Sequence, residues 1–347
     1  MKVADRNYTG KEVFVGIDVH KKTYAIAVSC DRVLVKKWTS KASPEELVSQ
    51  LSKFFKGASI YTAYEAGFSG FRLHRVLEAA GFNSRVVNAG SIEVASNDRV
   101  KTDNRDAKKI AEQLEAGRLG GIYVPSENEE SKRSLSRGRE QVVERRKSIG
   151  NQLKMKLHYL GIELPAGKQV SESFMRWVEA LDLAKDHDFT IKELIDAWRQ
   201  ETKRIKRFDK ALRSQAEEDE LEEIYRSAPG VGATTSRILS NELGDMSRFS
   251  NEAQLFSNSG LTPSEYSSGD SIRKGHISRQ GSPRIRAILT EVAWRAIKKD
   301  SSLCSFYQRV SSTRGSKRAI VAVARKILGR LRSCLINRVI WQDMPLV

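Results

Sequence analysis

The chain has 347 residues with 60 Lys and Arg against 43 Asp and Glu, a formal charge of +17 that is too basic for a generic metabolic enzyme. Length suggests two or three domains. No run approaches the roughly 20 apolar residues of a membrane span, the start MKVADRNYTGKEVFVGIDVH lacks the pattern of a secretory signal, and Cys30, Cys304 and Cys334 are too far apart for a disulfide framework or zinc knuckle. A cytoplasmic protein with no membrane partner is expected.

Charge divides unevenly along the chain. Residues 1–125 carry +6, residues 126–228 are balanced at 21 of each sign, and residues 229–347 carry +11. A basic excess at both ends points to a polyanion, because each cation that neutralises a phosphate releases a condensed counterion.

Taken in order, the first elements are mixed α/β. Val13-Phe14-Val15-Gly16-Ile17-Asp18-Val19 reads as a buried strand, followed by strands Tyr24–Cys30 and Val33–Trp38 at hairpin distance. A helix Pro44–Phe55, a strand Ser59–Tyr64, a helix Phe71–Ala80, a strand Ser84–Asn88 and a helix Asp103–Ala116 follow. This β-β-β-α-β-α-β-α order is the ribonuclease H arrangement, a mixed sheet with helices on its faces. From Ser126 to Ala228 strands disappear, and apolar residues such as Leu153, Leu160, Ile191, Leu194, Trp198, Ile205 and Leu212 recur at helical spacing. Two long helices are predicted, either a spacer or a dimerising antiparallel coiled coil, with a short helical stretch near Phe174–Leu181 between them. The last segment opens on Pro229-Gly230-Val231-Gly232, a turn of helix-hairpin-helix type whose backbone could approach a phosphate, or a plain tight turn. An irregular loop or hairpin around Ser267-Ser268-Gly269-Asp270 and Lys274-Gly275-His276 precedes Arg-rich helices over Pro283–Lys298 and Gly315–Arg338.

Four acids stand out. Asp18 lies inside an apolar strand, where an unpaired carboxylate is costly; Lys21 or Lys22 is a candidate partner. Glu65 ends the fourth strand, and Asp103 and Asp106 share one face at the start of a helix, where they could equally be ordinary cap and first-turn acids. In the ribonuclease H arrangement the four converge on one rim. Their repulsion would then be relieved by hard cations, Mg²⁺ or Mn²⁺, suited to phosphodiester chemistry.

Gly16-Ile17-Asp18-Val19-His20-Lys21, Tyr64-Glu65-Ala66, Lys101-Thr102-Asp103-Asn104-Arg105-Asp106-Ala107, Pro229-Gly230-Val231-Gly232 and Gly260-Leu261-Thr262-Pro263 followed by Ser268-Gly269 together resemble one family. It is the DEDD class of bacterial insertion-sequence transposases, which also includes Piv-type DNA invertases and bridge-RNA-guided recombinases. The resemblance implies a RuvC-like catalytic domain over residues 1–125, a helical coiled coil over 126–228 and a mainly α C-terminal transposase domain over 229–347. It further implies a metal site of Asp18, Glu65, Asp103 and Asp106 and a nucleophilic serine at Ser268, with Ser267 adjacent. The partners it implies are donor and target DNA and a structured guide RNA, handled by a dimer or tetramer. The basic residues proposed for nucleic acid, beside Gly230 and Gly232, are Arg273, Lys274, Arg279, Arg284, Arg286 and Arg295. Other readings are a Piv-like invertase or RuvC-like junction nuclease without a guide, and a non-catalytic nucleic-acid scaffold.

Overall fold

The computed structural model describes residues 7–93, 103–165, 167, 169–266 and 274–343, apart from the side chains of Asp103, Asn104, Lys274 and Asp343. The chain divides into two compact units between Ser126 and Glu127.

In the N-terminal unit, β1 (Glu12–Val19), β2 (Thr23–Cys30), β3 (Val33–Lys41), β4 (Ser59–Glu65) and β5 (Asn83–Val87) form a sheet in the order β3-β2-β1-β4-β5. β2 runs antiparallel to β1 and β3, while β4 and β5 continue parallel to β1. This topology is compatible with the expected ribonuclease H-like arrangement. Alternation assigns the two faces. Val13, Val15, Ile17, Ile26, Val28 and Tyr64 point to one side, where helices α1 (Pro44–Phe54) and α2 (Arg72–Ala79) supply Leu47, Leu51, Leu73 and Leu77 to a common core. Helix α1 starts where it does because the Ser43 hydroxyl accepts from the Glu46 amide and Pro44 presets the first turn.

The opposite face is lined by small residues. Gly16, Ala25, Ala27 and Ala63 lie under α3 (Asp103–Glu115), and Ala107 packs on Ala25 and Ala27. A Cβ added to Gly16 would stand 2.0 Å from the Ala107 carbonyl oxygen and 2.5 Å from the Ala111 nitrogen. The absence of a side chain at Gly16 is therefore what lets the helix rest on the strand.

The C-terminal unit is helical. α4 (Glu127–Tyr159) and α6 (Lys185–Glu217) pair antiparallel, with Arg139 to Asp209 at 2.6 Å and Arg145 to Glu201 at 3.6 Å. The short α5 (Glu172–Glu179) closes their far end through Phe174, Met175 and Val178, which pack with Leu153, Leu157, Ile191 and Ile195. Ile205 and Leu212, offered by the sequence as a seam for a second chain, are buried in one chain. The remaining helices are α7 (Glu222–Ser227), α8 (Ala233–Leu243), α9 (Glu252–Ser259), α10 (Pro283–Ala296), α11 (Ser301–Arg314) and α12 (Ser316–Asn337), with the hairpin β6 (Pro263–Glu265) and β7 (Lys274–Ile277) between α9 and α10. Their core centres on Leu239, Leu289, Val292, Val323 and Ile327. Helix α11, which the sequence reading did not anticipate, is Ser-rich and buries only Leu303; Asp300 starts it by accepting from the Leu303 amide. Among the described residues no helix is long and apolar enough to cross a membrane.

Candidate functional site

The face under α3 carries the acids. Asp18 follows Gly16 by two residues, so it points to the same side, and Glu65 follows Ala63 in the same way. The last pair in register between the parallel strands is Ile17 with Tyr64, so Asp18 and Glu65 are the next residues on neighbouring strands, at the end where the chain leaves the sheet.

Helix α3 runs antiparallel to β1 above them. Near its carboxyl end, Glu115 accepts from the Ser29 hydroxyl and, at 2.5 Å, from the Arg32 amide; Ser29 pairs across β1 with Phe14. In its middle, Ala107 and Ala111 rest on Gly16. Each pair of strand residues advances about 6.6 Å and each helical residue about 1.5 Å. One further step from Gly16 to Asp18 therefore corresponds to about one turn back along α3, to the turn holding Asp103 and Asp106. Small residues on the sheet and an antiparallel helix thus bring Asp18, Glu65 and the first turn of α3 to one rim.

Asp18 has a side chain 23% exposed, and His20 Nε2 stands 3.2 Å from its carboxylate. The sequence offered Lys21 or Lys22 for this role; the turn between β1 and β2 presents His20 instead, whose amide donates to the Thr23 carbonyl. Glu65 is exposed. Asp106 is a quarter exposed, with Lys109 Nζ 3.6 Å away. These are oxygen donors of the hard kind, Asp18 and Asp106 partly exposed and Glu65 exposed, which fits a hydrated divalent cation. Among the described residues no three His, Cys, Asp or Glu side chains already close into a cluster, and the side chain of Asp103 lies outside them.

Two family models match this chain. One, the DEDD transposase model of IS110 type, described as Transposase, covers residues 15–160, and one described as Transposase IS116/IS110/IS902 family covers residues 222–308. The chain belongs to the DEDD transposases of the IS110 family. Among its relatives, the Sinorhizobium fredii protein y4qE, provisionally named a transposase, is 29% identical over 92% of this chain and 87% of its own length. The transposase for insertion sequence element IS1533 of Leptospira borgpetersenii is 27% identical over 82% of this chain and 85% of its own. The transposase for IS1111A of Coxiella burnetii is 23% identical over 90% and 86%. The enzyme is a DNA transposase, and DNA is its substrate.

In this transposase the other residues singled out by sequence have the following surroundings. Ser267, Ser268 and Arg273 lie outside the described residues, as does the side chain of Lys274. Gly230 is buried with φ +81°, and a Cβ there would stand 2.7 Å from the Val292 carbonyl of α10; packing alone accounts for that glycine. Gly232 is exposed at the start of α8. Arg284 is engaged with Glu140 on α4 and stands 3.6 Å from Glu242 on α8. Arg286 donates to the Ser259 carbonyl at 3.3 Å, beneath the close approach at Gly260. Arg295 is more than half exposed, with Glu291 one turn away. Arg279 is exposed. Sequence reasoning missed His20 and Lys109, although His20 stood in the quoted Gly-Ile-Asp-Val-His-Lys motif.

Proposed function

We propose that this transposase cuts and rejoins DNA at a divalent-metal site of Asp18, Glu65, Asp103 and Asp106, with Ser268 as the nucleophile. The single observation that carries the reading is the seat of α3 on Gly16, which draws the helix's first turn toward Asp18 and Glu65. The acids would hold Mg²⁺ or Mn²⁺, and a bound ion supplies charge stabilisation of the phosphoryl oxygens and acidification of the attacking hydroxyl. Lys109 balances the Asp106 carboxylate before substrate arrives, and His20 stands against Asp18 and limits its orientation. In the exchange, a Ser268 Oγ–P bond forms, one P–O ester bond of the strand breaks, the serine proton passes to a base and the leaving sugar oxygen takes up a proton. Since ester replaces ester, rejoining needs no further energy source.

Three further parts belong to this proposal. Residues 1–125 act as the RuvC-like catalytic domain, residues 126–228 as a coiled-coil connector, and residues 229–347 as the domain that brings the serine. A structured guide RNA pairs with donor and target DNA, so that base pairing reads sequence while basic residues grip the backbone. The working assembly is a dimer or tetramer.

The test is to trap the reaction on a labelled DNA strand. A covalent adduct mapping to Ser268, lost in Ser268→Ala and absent in Asp18→Ala, is expected. Full cutting by the Ser267→Ala/Ser268→Ala double variant would instead indicate a hydrolytic RuvC-like nuclease. Sequencing of copurified RNA tests guidance, since an element-derived RNA is expected and its absence favours a guide-free invertase.

A further inference from the structure

A cavity of about 870 Å³ opens in the C-terminal unit between the β6–β7 hairpin and the start of α12. That volume falls in the range of about 300–1,000 Å³ typical of small-ligand sites. Its apolar wall includes the partly exposed Pro263, Ile277 and Val321, and five cations line it: Arg279, Arg314, Lys317, Arg318 and Arg325. Among the described residues no acid lines it and none of the five makes an ion pair. Arg325 rests on the Phe256 ring at 4.6 Å. The first turn of α12 also faces this region: Gly315, at φ +79°, caps the helix without a side-chain acceptor.

Several other guanidinium groups of this unit are matched to carboxylates, and others, such as Arg286 and Arg332, to backbone carbonyls. Arg137 binds Glu242 through two bonds at 2.8 and 2.9 Å, Arg139 binds Asp209, and Arg237 lies between Asp219 and Glu222. Five cations with no acid partner among the described residues, set around an apolar wall, suit an anion that also carries an apolar body. Arg318 and Arg325 are seven residues apart on one face of α12, about 10 Å of rise. One phosphate does not reach both, whereas a run of phosphodiesters does. The apolar wall needs the free face of a base, and a base within a duplex has its faces stacked on its neighbours.

We propose that this cavity seats an unpaired nucleotide of a nucleic-acid strand, the base against Pro263, Ile277 and Val321 and the flanking phosphates on Arg314, Lys317, Arg318 and the amino end of α12. In the sequence, Ser268 lies between the two strands of the hairpin that forms one wall. The inference rests on the proposed function only in taking the ligand to be a nucleic-acid strand.

The test uses the full chain and fluorescent oligonucleotides carrying one 2-aminopurine, as unpaired DNA, unpaired RNA and duplex DNA of equal length. Wild-type protein should change the 2-aminopurine emission of an unpaired strand and not of the duplex; the DNA and RNA arms report which strand uses the seat. Lys317→Gln/Arg318→Gln, both exposed residues, should weaken unpaired-strand binding and lower the log-affinity salt slope by roughly 0.7 per lost contact. Lys53→Gln/Lys56→Gln, with equal charge loss in the other unit, should change neither. Equal effects of the two pairs, or emission changes confined to duplex, would overturn the proposal. Adduct formation by wild type, measured in the same preparation, reports separately on the Ser268 reading.

Discussion

Asp219 and Arg237 show how one pair of side chains ties a fold to pH. Arg237 is 1% exposed, bonded to Asp219 and 3.4 Å from Glu222, and the Ser240 hydroxyl donates to Asp219 at 2.6 Å. Burial pushes the Asp219 carboxyl up, yet hydrogen bonds from Ser240 and Arg237 outweigh it and hold the group below its usual range. A carboxyl whose folded value is depressed contributes stability that is present above the unfolded value and lost as pH falls through the folded one. Asp219→Asn should therefore destabilise the chain by about 3 kcal/mol at neutral pH, because a buried guanidinium loses a charged partner. In urea titrations that deficit should shrink as the pH falls below about 4. A deficit independent of pH would mean the carboxylate charge contributes nothing. At the same scale, Glu65→Ala should reduce DNA cutting to background while leaving DNA binding intact, measured by gel shift, because an exposed strand-end acid supports no packing.

At the scale of elements, the contact of α3 with β1 decides the candidate site. Gly16→Ala places a methyl against backbone atoms that cannot turn aside, so α3 must lift. We expect a loss of about 1–3 kcal/mol in urea unfolding together with loss of cutting, since the Asp103–Asp106 turn moves away from Asp18. Stability lost with full cutting retained would separate the helix seat from the chemistry. The antiparallel pair α4 and α6 gives a second element-scale expectation. Ile205 is 6% exposed within one chain, so Ile205→Ala should cost about 2–4 kcal/mol without changing the oligomer measured by light scattering. A shift to monomer would assign this seam to a second chain.

Across the whole molecule the excess positive charge is selective rather than uniform. Arg284 is consumed by Glu140 and Glu242, whereas Arg295 is more than half exposed. DNA binding should weaken steeply with salt, and Arg295→Gln should flatten the log-affinity slope by roughly 0.7–0.9 if it meets a phosphate. Arg284→Gln should leave the slope unchanged and lower stability instead, because Glu140 on α4 loses its cation and Glu242 on α8 keeps only Arg137. Equal slopes for both variants and wild type would remove Arg295 from the DNA interface.

Much of this was legible in the chain itself. Alternating Val13, Val15 and Ile17 could bury only one face of a strand, and Ser43-Pro44 and Ser282-Pro283 could only begin helices, since periodicity and capping act over a few neighbouring residues. The five strands, the flanking helices and the motifs that carry the family resemblance were read on that basis. The sequence could not say that Gly16 is bare because Ala107 rests on it, that His20 faces Asp18, or that Gly230 is small for the sake of α10. Nor could it show that Arg284 is spent on two acids while Arg314, Lys317 and Arg318 have none among the described residues. Apart from the His20–Asp18 contact, made within one turn, those facts join residues tens to more than a hundred positions apart. Which charge meets which, and which glycine faces a backbone, is decided only when packed elements bring them within a few ångströms, where sterics and Coulomb energy act.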